Sequence, residues 1–91
     1  MLQFDLTEKP IKQFYVRKRK KGNSIYLIYR HQIYEINSFT ENLWNLCTGE
    51  YTVSDIAQHL LSGNQGSSFH EVLIDVIQNI LFLKEKQFIT K

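Results

Sequence analysis

The chain has 91 residues, of which 43% are hydrophobic and 13% aromatic, so a single domain spanning residues 1–91 with one core is expected. No stretch approaches the roughly 18 apolar residues of a membrane span, and the start lacks the layout of a secretory signal, so we expect a cytoplasmic protein without membrane contact. The net charge of +2 is too small to indicate nucleic-acid binding by itself.

The first two strands are predicted to form a hairpin. The first strand runs from about Gln13 to Arg19, and the chain then turns through Gly22 and Asn23, both of which accept positive φ. The second strand, Ser24 to Arg30, is dense in β-branched and aromatic side chains that alternate between two apolar faces. We therefore expect both faces of the second strand to be at least partly covered.

A short third strand covers Ile33 to Ile36 and ends before Asn37. The alternation places Tyr34 and Ile36 on one face, with Ile33 and Glu35 on the other. The strand holds one charge and neither proline nor glycine, whereas the first strand is crowded by the basic run "RKRKK". If the third strand lies at an edge of the sheet, it is the less protected edge.

Three helices are predicted in the second half of the chain, each with a start signal. The capping box S-x-x-E, in which side chains satisfy orphan backbone N–H groups, occurs at Ser38–Glu41 and again at Ser68–Glu71. Thr52–Asp55 is a weaker version, while Gly49 and Gly63 are typical of helix ends. Three strands and then three helices predict an α+β fold, namely a winged helix-turn-helix with a three-stranded antiparallel sheet.

The third helix, roughly Phe69 to Lys86, has an unusually wide apolar surface. Its apolar side chains spread over about 200° of the helical wheel, although a stripe of roughly 100° suffices to face one core. Part of this surface is therefore expected to contact something else. The N-terminal residues Leu2, Phe4 and Leu6 could cover it, or it could be left for a partner.

The stretch "IYEINSFTENLWNLCTGEYTVSDIAQHLL" resembles the PqqD family. The resemblance depends on the strand-ending "IN", a helix holding Trp44, the "TG" at Thr48 and Gly49, and the helix in "YTVSDIAQHL". It covers about Tyr26 to Ile89. Thr48 stands where the family usually has an acidic residue, which argues against the pyrroloquinoline quinone pathway itself.

The resemblance implies a recognition element (RRE) of RiPP biosynthesis, which binds the leader of a ribosomally synthesised precursor peptide. The leader would add as an antiparallel strand to the third strand, in a groove whose other wall is the third helix. A separate modifying enzyme, such as a radical SAM enzyme or a leader peptidase with a cyclase, would receive the peptide. The implied peptide contacts are Ile33, Tyr34, Glu35 and Ile36 on the edge, and Ile74, Ile77, Asn79, Leu81 and Phe82 on the wall.

Two other functions remain open at this point. A winged-helix DNA-binding protein is suggested by the basic run Arg17–Lys21, but the third helix presents Glu71 and Asp75 and has no basic residue before Lys84. The basic run is better interpreted as a solvated hairpin or as a patch that attracts an acidic leader. A homodimer through the third strand is also possible, because an edge that accepts a peptide can accept its own copy.

Catalytic signatures are not found in the sequence. His31, His59 and His70 are scattered, and none stands with Cys47 at a metal-ligand spacing. Cys47 lies among apolar residues, so burial is expected rather than redox chemistry. With no nucleophile elbow and no phosphate-binding loop, we expect no enzyme activity, no cofactor and no metal.

Overall fold

The computed structural model describes residues 4–63 and 66–90 and shows a three-stranded antiparallel sheet followed by three helices. The predicted α+β order is therefore confirmed, while the winged helix-turn-helix arrangement stays a prediction. The strands are β1 (Arg17–Lys21), β2 (Ser24–Tyr29) and β3 (Gln32–Ile36), in the spatial order β1-β2-β3, and the helices are α1 (Ser38–Asn45), α2 (Val53–Leu61) and α3 (Phe69–Glu85). Within the described ranges no helix has the length and apolar character needed to cross a membrane.

The predicted start of the first strand near Gln13 is wrong, because β1 begins at Arg17. Phe14 and Tyr15 lie in a turn, and Tyr15 has a left-handed φ of 71° that interrupts an extended chain. Both rings are exposed, and their centres lie 4.3 Å apart. The aromatic character of this segment favoured a strand, but the backbone turns before β1 starts.

Two short turns fix the register of the sheet. Lys21 pairs with Ser24, so Gly22 and Asn23 form a two-residue hairpin turn in which only Gly22 is left-handed, with φ 62°. Tyr29 pairs with Gln32 across a second two-residue turn, whose first residue, Arg30, has φ 57°. The resulting alternation places Leu27 and Tyr29 in the core, while Tyr26 and Ile28 on the other face are half-buried, so the expectation that both faces are partly covered is confirmed.

The helix starts confirm two of the three predicted capping boxes. Thr52 with Asp55 and Ser68 with Glu71 each form both of the reciprocal hydrogen bonds. The box predicted at Ser38–Glu41 is wrong, because Asn37 caps α1 by accepting a hydrogen bond from the Thr40 N–H at 2.8 Å. Asn37 has extended backbone angles, so Ser38 is already the first helical residue and Glu41 is free to bind elsewhere.

The C-terminal segment completes the core. Gln87, with φ 64°, ends α3 in a Schellman motif in which the Phe88 N–H donates to the Leu83 carbonyl at 2.8 Å. This turn directs Phe88 back under the sheet, where its side chain is fully buried. The Phe88 carbonyl accepts hydrogen bonds from the Trp44 Nε1–H at 3.3 Å and from the Gln13 N–H at 3.0 Å. The end of the chain is therefore fixed to α1 and to the N-terminal segment.

The N-terminal segment covers one side of α3. Phe4 and Leu6 are partly buried against the core. Lys84 of α3 forms an ion pair with Glu8, and its Nζ lies 5.6 Å from the centre of the Phe4 ring. Part of the wide apolar surface of α3 thus faces this segment, which was one of the two expectations; Leu2 lies outside the described residues.

Candidate functional site

The third strand is an edge of the sheet, and its outward backbone groups are available. Because Tyr29 and Gln32 close a two-residue turn, hydrogen-bonded pairs with β2 alternate along β3 from Gln32. This alternation directs the N–H and C=O groups of Ile33 and Glu35 away from β2. Within residues 4–63 and 66–90, no backbone partner is found for them on the outer side. We call these four groups the β3 edge.

Side chains of β3 alternate between an aromatic surface and solvent. Ile33 is 65% exposed and Glu35 is also exposed, whereas Tyr34 and Ile36 turn towards the helices. The Tyr34 ring meets the rings of Phe82 and Phe88 edge to face, each with centres 5.8 Å apart. We call these three rings the aromatic floor. Because Phe88 is fully buried, a strand added at the β3 edge would place every second side chain against the Tyr34 and Phe82 rings of this floor.

The third helix runs antiparallel to β3. The Thr40 hydroxyl, just beyond the C-terminal end of β3, donates a hydrogen bond to Asn79 Oδ1. One turn further along α3, Phe82 contacts Tyr34, and the Nζ of Lys86 lies 5.0 Å from the centre of the Tyr34 ring. These contacts place Asn79 beside the residues that follow β3, and both Phe82 and Lys86 beside Tyr34. Lys86 follows Phe82 by four residues, about 6 Å further along α3, so its backbone lies towards the start of β3.

The predicted wall residues do not share one face. At about 100° per residue, Ile77 lies roughly 140° around the helix from Phe82, on the side of Lys84 that the N-terminal segment covers. Ile74 and Leu81 are 55% and 40% exposed and lie between these two sides. Of the five predicted wall residues, Asn79 and Phe82 make contacts with β3 or with the residues just after it.

Two residues next to Tyr34 were missed by sequence reasoning, namely Lys86 and Phe88. Phe88 lies beyond the last turn of α3, where the helical spacing no longer applies, whereas Lys86 caps the helix and its N–H still donates to the Phe82 carbonyl. A possible signal was the apolar pair Phe88–Ile89, which follows a run of charged and polar residues. Such a pair after a helix end is typical of a segment that folds back onto the core.

A depression of about 600 Å³ lies at the C-terminal end of β3. Its lining includes Glu35, Ile36, Asn37 and Ser38 from β3 and the start of α1. Tyr34 and Phe82 are not part of this lining.

The opposite edge of the sheet, β1, carries inward-facing charges. Lys18 and Lys20 both reach Glu41 Oε2, at 2.8 and 3.2 Å, and Lys18 also donates to Asn45 Oδ1 at 3.3 Å. The hydrogen bond from Lys18, followed by that from Lys20, lowers the pKa of the Glu41 carboxyl, although partial burial opposes the shift. The basic run is thus partly tied to α1 rather than fully solvated.

The single cysteine is unsuited to nucleophilic chemistry at neutral pH. Cys47 is fully buried, and its Sγ–H donates to the Leu43 carbonyl at 3.3 Å. Burial raises the pKa of the thiol to about 12, so the thiolate is scarce. Across the described ranges, no group of three or more His, Cys, Asp or Glu side chains is arranged to hold a metal ion. The β3 edge and the rings beside it offer two kinds of interaction, namely backbone hydrogen bonds to an added strand and burial of apolar side chains.

Comparisons of the chain with protein-family models, with curated proteins and with solved structures found no significant match. The resemblance to the PqqD family therefore stays a prediction.

Proposed function

We propose that this chain is a cytoplasmic, non-catalytic recognition element of the PqqD-like kind. It binds the leader of a ribosomally synthesised precursor peptide as a fourth strand on β3 and presents it to a separate modifying enzyme. That enzyme is a radical SAM enzyme, a leader peptidase with a cyclase, or another tailoring enzyme. The observation that supports the proposal is an unpaired strand edge next to an aromatic surface.

The β3 edge can supply affinity through the main chain. Ile33 and Glu35 offer two N–H and two C=O groups, and each hydrogen bond contributes roughly 0.5–1.5 kcal/mol net. An apolar side chain buried on the aromatic floor adds about 1.5–3 kcal/mol. With two or three such side chains, micromolar affinity, which requires about −8 kcal/mol, is within reach.

A strand-mediated homodimer is the second candidate. It is favoured by the exposure of Ile33, which is 65% exposed on an edge strand that lacks proline and glycine. Light scattering over a concentration series distinguishes the two. A monomer that stays monomeric until peptide is added supports peptide binding, whereas a dimer that peptide does not dissociate supports the homodimer.

The proposal is tested with peptides selected from a random 12-residue display library on the immobilised full chain. Selected peptides are titrated into ¹⁵N-labelled protein, with duplex DNA as a parallel probe. We expect amide shifts at β3 and around Phe82, and little response to DNA. Shifts confined to other surfaces, or no peptide selected above background, would overturn the proposal.

A matched pair of variants sharpens this test. Phe82→Ala removes one ring of the aromatic floor and is expected to weaken peptide binding about tenfold or more. Phe14→Ala makes the same chemical change at a ring that is 73% exposed beside β1, and should leave affinity unchanged. Circular dichroism of both variants separates loss of binding from loss of fold.

A further inference from the structure

The register of β3 determines which positions of an added peptide face the helices. In an antiparallel ladder, residues directly opposite each other project to the same face of the sheet. Peptide residues opposite Gln32, Tyr34 and Ile36 therefore face α3, and those opposite Ile33 and Glu35 face solvent. A shift by one residue would exchange the two sets completely.

The direction of the peptide relative to α3 is also fixed. Since α3 runs antiparallel to β3, a peptide that pairs antiparallel with β3 runs parallel to α3. Its helix-facing side chains then pass Asn79 first and the Tyr34 and Phe82 rings next. They pass the backbone of Lys86, about 6 Å beyond that of Phe82, last. Each of these surroundings favours a different side chain.

The middle position, opposite Tyr34, faces the aromatic floor. The only polar atom of these three rings is the Tyr34 hydroxyl oxygen. A large apolar or aromatic peptide side chain therefore gains the most binding free energy at this position. An added phenylalanine could continue the edge-to-face contacts that Tyr34 already makes with Phe82 and Phe88.

The last position, opposite Gln32, follows the Tyr34 ring and lies within reach of the flexible Lys86 side chain. Lys86 lies over the Tyr34 ring and, among residues 4–63 and 66–90, has no acidic partner. Lys84, two residues earlier, is instead paired with Glu8 on the other side of α3. Lys86 is thus free to receive a carboxylate from a bound peptide, partly shielded from water by the aromatic floor.

Resting on the proposed function, we infer that the β3 edge selects peptides with a large apolar residue opposite Tyr34 and an aspartate or glutamate two residues later, opposite Gln32 and paired with Lys86. The site thus reads an apolar and an acidic side chain separated by one residue, in that order from N- to C-terminus. The intervening residue faces solvent and is not selected.

The test uses an acetylated, amidated synthetic peptide, Ser-Thr-Thr-Phe-Thr-Glu-Thr-Ser, titrated into the ¹⁵N-labelled full chain. Replacing phenylalanine by alanine should weaken binding about tenfold or more. Replacing glutamate by glutamine, or exchanging it with the threonine before it, should weaken binding about two- to fivefold, since the pair with Lys86 is partly solvated. The exchanged peptide is the sharper control because its composition and charge are unchanged.

Charge reversal on the protein assigns the acidic preference to one residue. In Lys86→Glu, the peptide with lysine in place of glutamate should bind better than the parent peptide. Lys84→Gln, which alters a cation on the opposite side of α3, should leave the preference for glutamate unchanged. Circular dichroism confirms that both variants keep their helices.

Two failures are distinguishable. Peptides that shift the Ile33 and Glu35 amides but bind equally with glutamate in either position, or that keep their preference in Lys86→Glu, overturn the selectivity alone. If no peptide of the series shifts these amides while other surfaces respond, or if none binds at millimolar concentration, strand addition itself is overturned and the selectivity with it.

Discussion

The two edge strands of the sheet, β1 and β3, both direct free N–H and C=O groups outward, but their inward-facing side chains differ in chemistry. By the alternation along each hairpin, Lys18 and Lys20 point their N–H and C=O groups outward from β1, as Ile33 and Glu35 do from β3. On β1, however, the inward side chains are two lysines bound to Glu41. On β3 the inward side chain at the middle is Tyr34, set among rings. The two edges therefore differ in their side chains rather than in their free backbone groups, and under the proposed function this difference directs the peptide to β3.

Inward-pointing charge is a known way of protecting an edge strand. A strand added beside β1 would lie against Lys18 and Lys20 and would desolvate their ammonium groups. The two lysines already share one carboxylate, that of Glu41, so this desolvation would be costly. Three further basic residues in β1 are exposed to the incoming chain. The β3 edge imposes neither cost, since its single charge, Glu35, points to solvent.

The largest loss of stability is expected from truncating the buried ring of Phe88, which packs against Tyr34 of β3. Phe88→Ala removes a fully buried ring that contacts Tyr34 and should lower the free energy of unfolding by about 3–5 kcal/mol. Phe14→Ala, at the exposed ring that precedes β1, should change it by less than about 0.5 kcal/mol. Urea denaturation measures both, and similar values for the two variants would mean that the C-terminal segment is not part of the core.

Proline at matched positions tests the edges themselves. Glu35→Pro removes an outward N–H from β3 and should weaken peptide binding about tenfold or more, because the added strand loses a ladder hydrogen bond and meets the proline ring. Lys20→Pro makes the equivalent change on β1 and should leave binding unchanged. Fluorescence anisotropy with a labelled display-selected peptide measures both. An equal loss of peptide affinity in the two variants would indicate that the peptide does not bind β3 in preference to β1.

The two hairpin turns differ in the residue that adopts left-handed φ. Gly22 has φ 62° and open space where a Cβ would stand, with no atom within 4 Å, so Gly22→Ala should cost about 1 kcal/mol from backbone strain alone. Arg30→Gly relieves similar strain at φ 57° but loses the guanidinium contact with the Tyr29 ring, at 5.0 Å, so a gain below about 1 kcal/mol is expected. Thermal unfolding of both variants measures these changes. A more stable Gly22→Ala together with a less stable Arg30→Gly would contradict the assigned turns.

The smallest effect concerns the charges that protect β1, and it depends on pH. Because Lys18 and Lys20 lower the folded-state pKa of Glu41 from its ordinary value of 4.5, the stabilisation is present above that value and is lost as pH falls through the lower folded pKa. Glu41→Gln should therefore unfold at a lower temperature than the parent at about pH 7, and the gap should close as the pH falls below 4.5 and through the lowered folded-state pKa.

Glu35→Gln, at an exposed carboxylate of β3 with no ion pair among the described residues, is the matched control. Its melting temperature should follow that of the parent at every pH. A gap for Glu41→Gln that persists in acid would show that the carboxylate contributes through packing rather than through its charge.

Much of the fold was predictable because local signals and burial agree. The alternation in β3 and the apolar spacing in α2 and α3 match the observed burial, and two capping boxes form as predicted. The signal at Ser38–Glu41 failed because Asn37, one residue earlier, is an equally good cap, and two lysines distant in sequence attract Glu41. Local pattern reading does not include such long-range charge contacts.

The candidate site was only partly predictable for a similar reason. The alternation in the sequence placed Ile33 and Glu35 on the face opposite Tyr34 and Ile36, and the structure shows that this face is exposed and that β3 is an edge strand. Which side of α3 meets β3 depends on how the helix is rotated, and this is set by the side chains that it buries in the core, such as Val76, Ile80 and Leu83.

Phe88 reaches Tyr34 because Gln87 ends α3 in the left-handed conformation, which glutamine rarely adopts. Lys86 is still helical and lies four residues after Phe82, so its contact with Tyr34 depends on the same rotation of α3.

Amide hydrogen exchange at the β3 edge tests the central claim most directly. In the free chain, the outward N–H groups of Ile33 and Glu35 should exchange quickly, as should those of Lys18 and Lys20 on β1. A bound display-selected peptide should slow exchange at Ile33 and Glu35 and leave the two lysines unaffected. Slow exchange at Ile33 and Glu35 before any peptide is added would show that the edge is already closed, and would contradict the account.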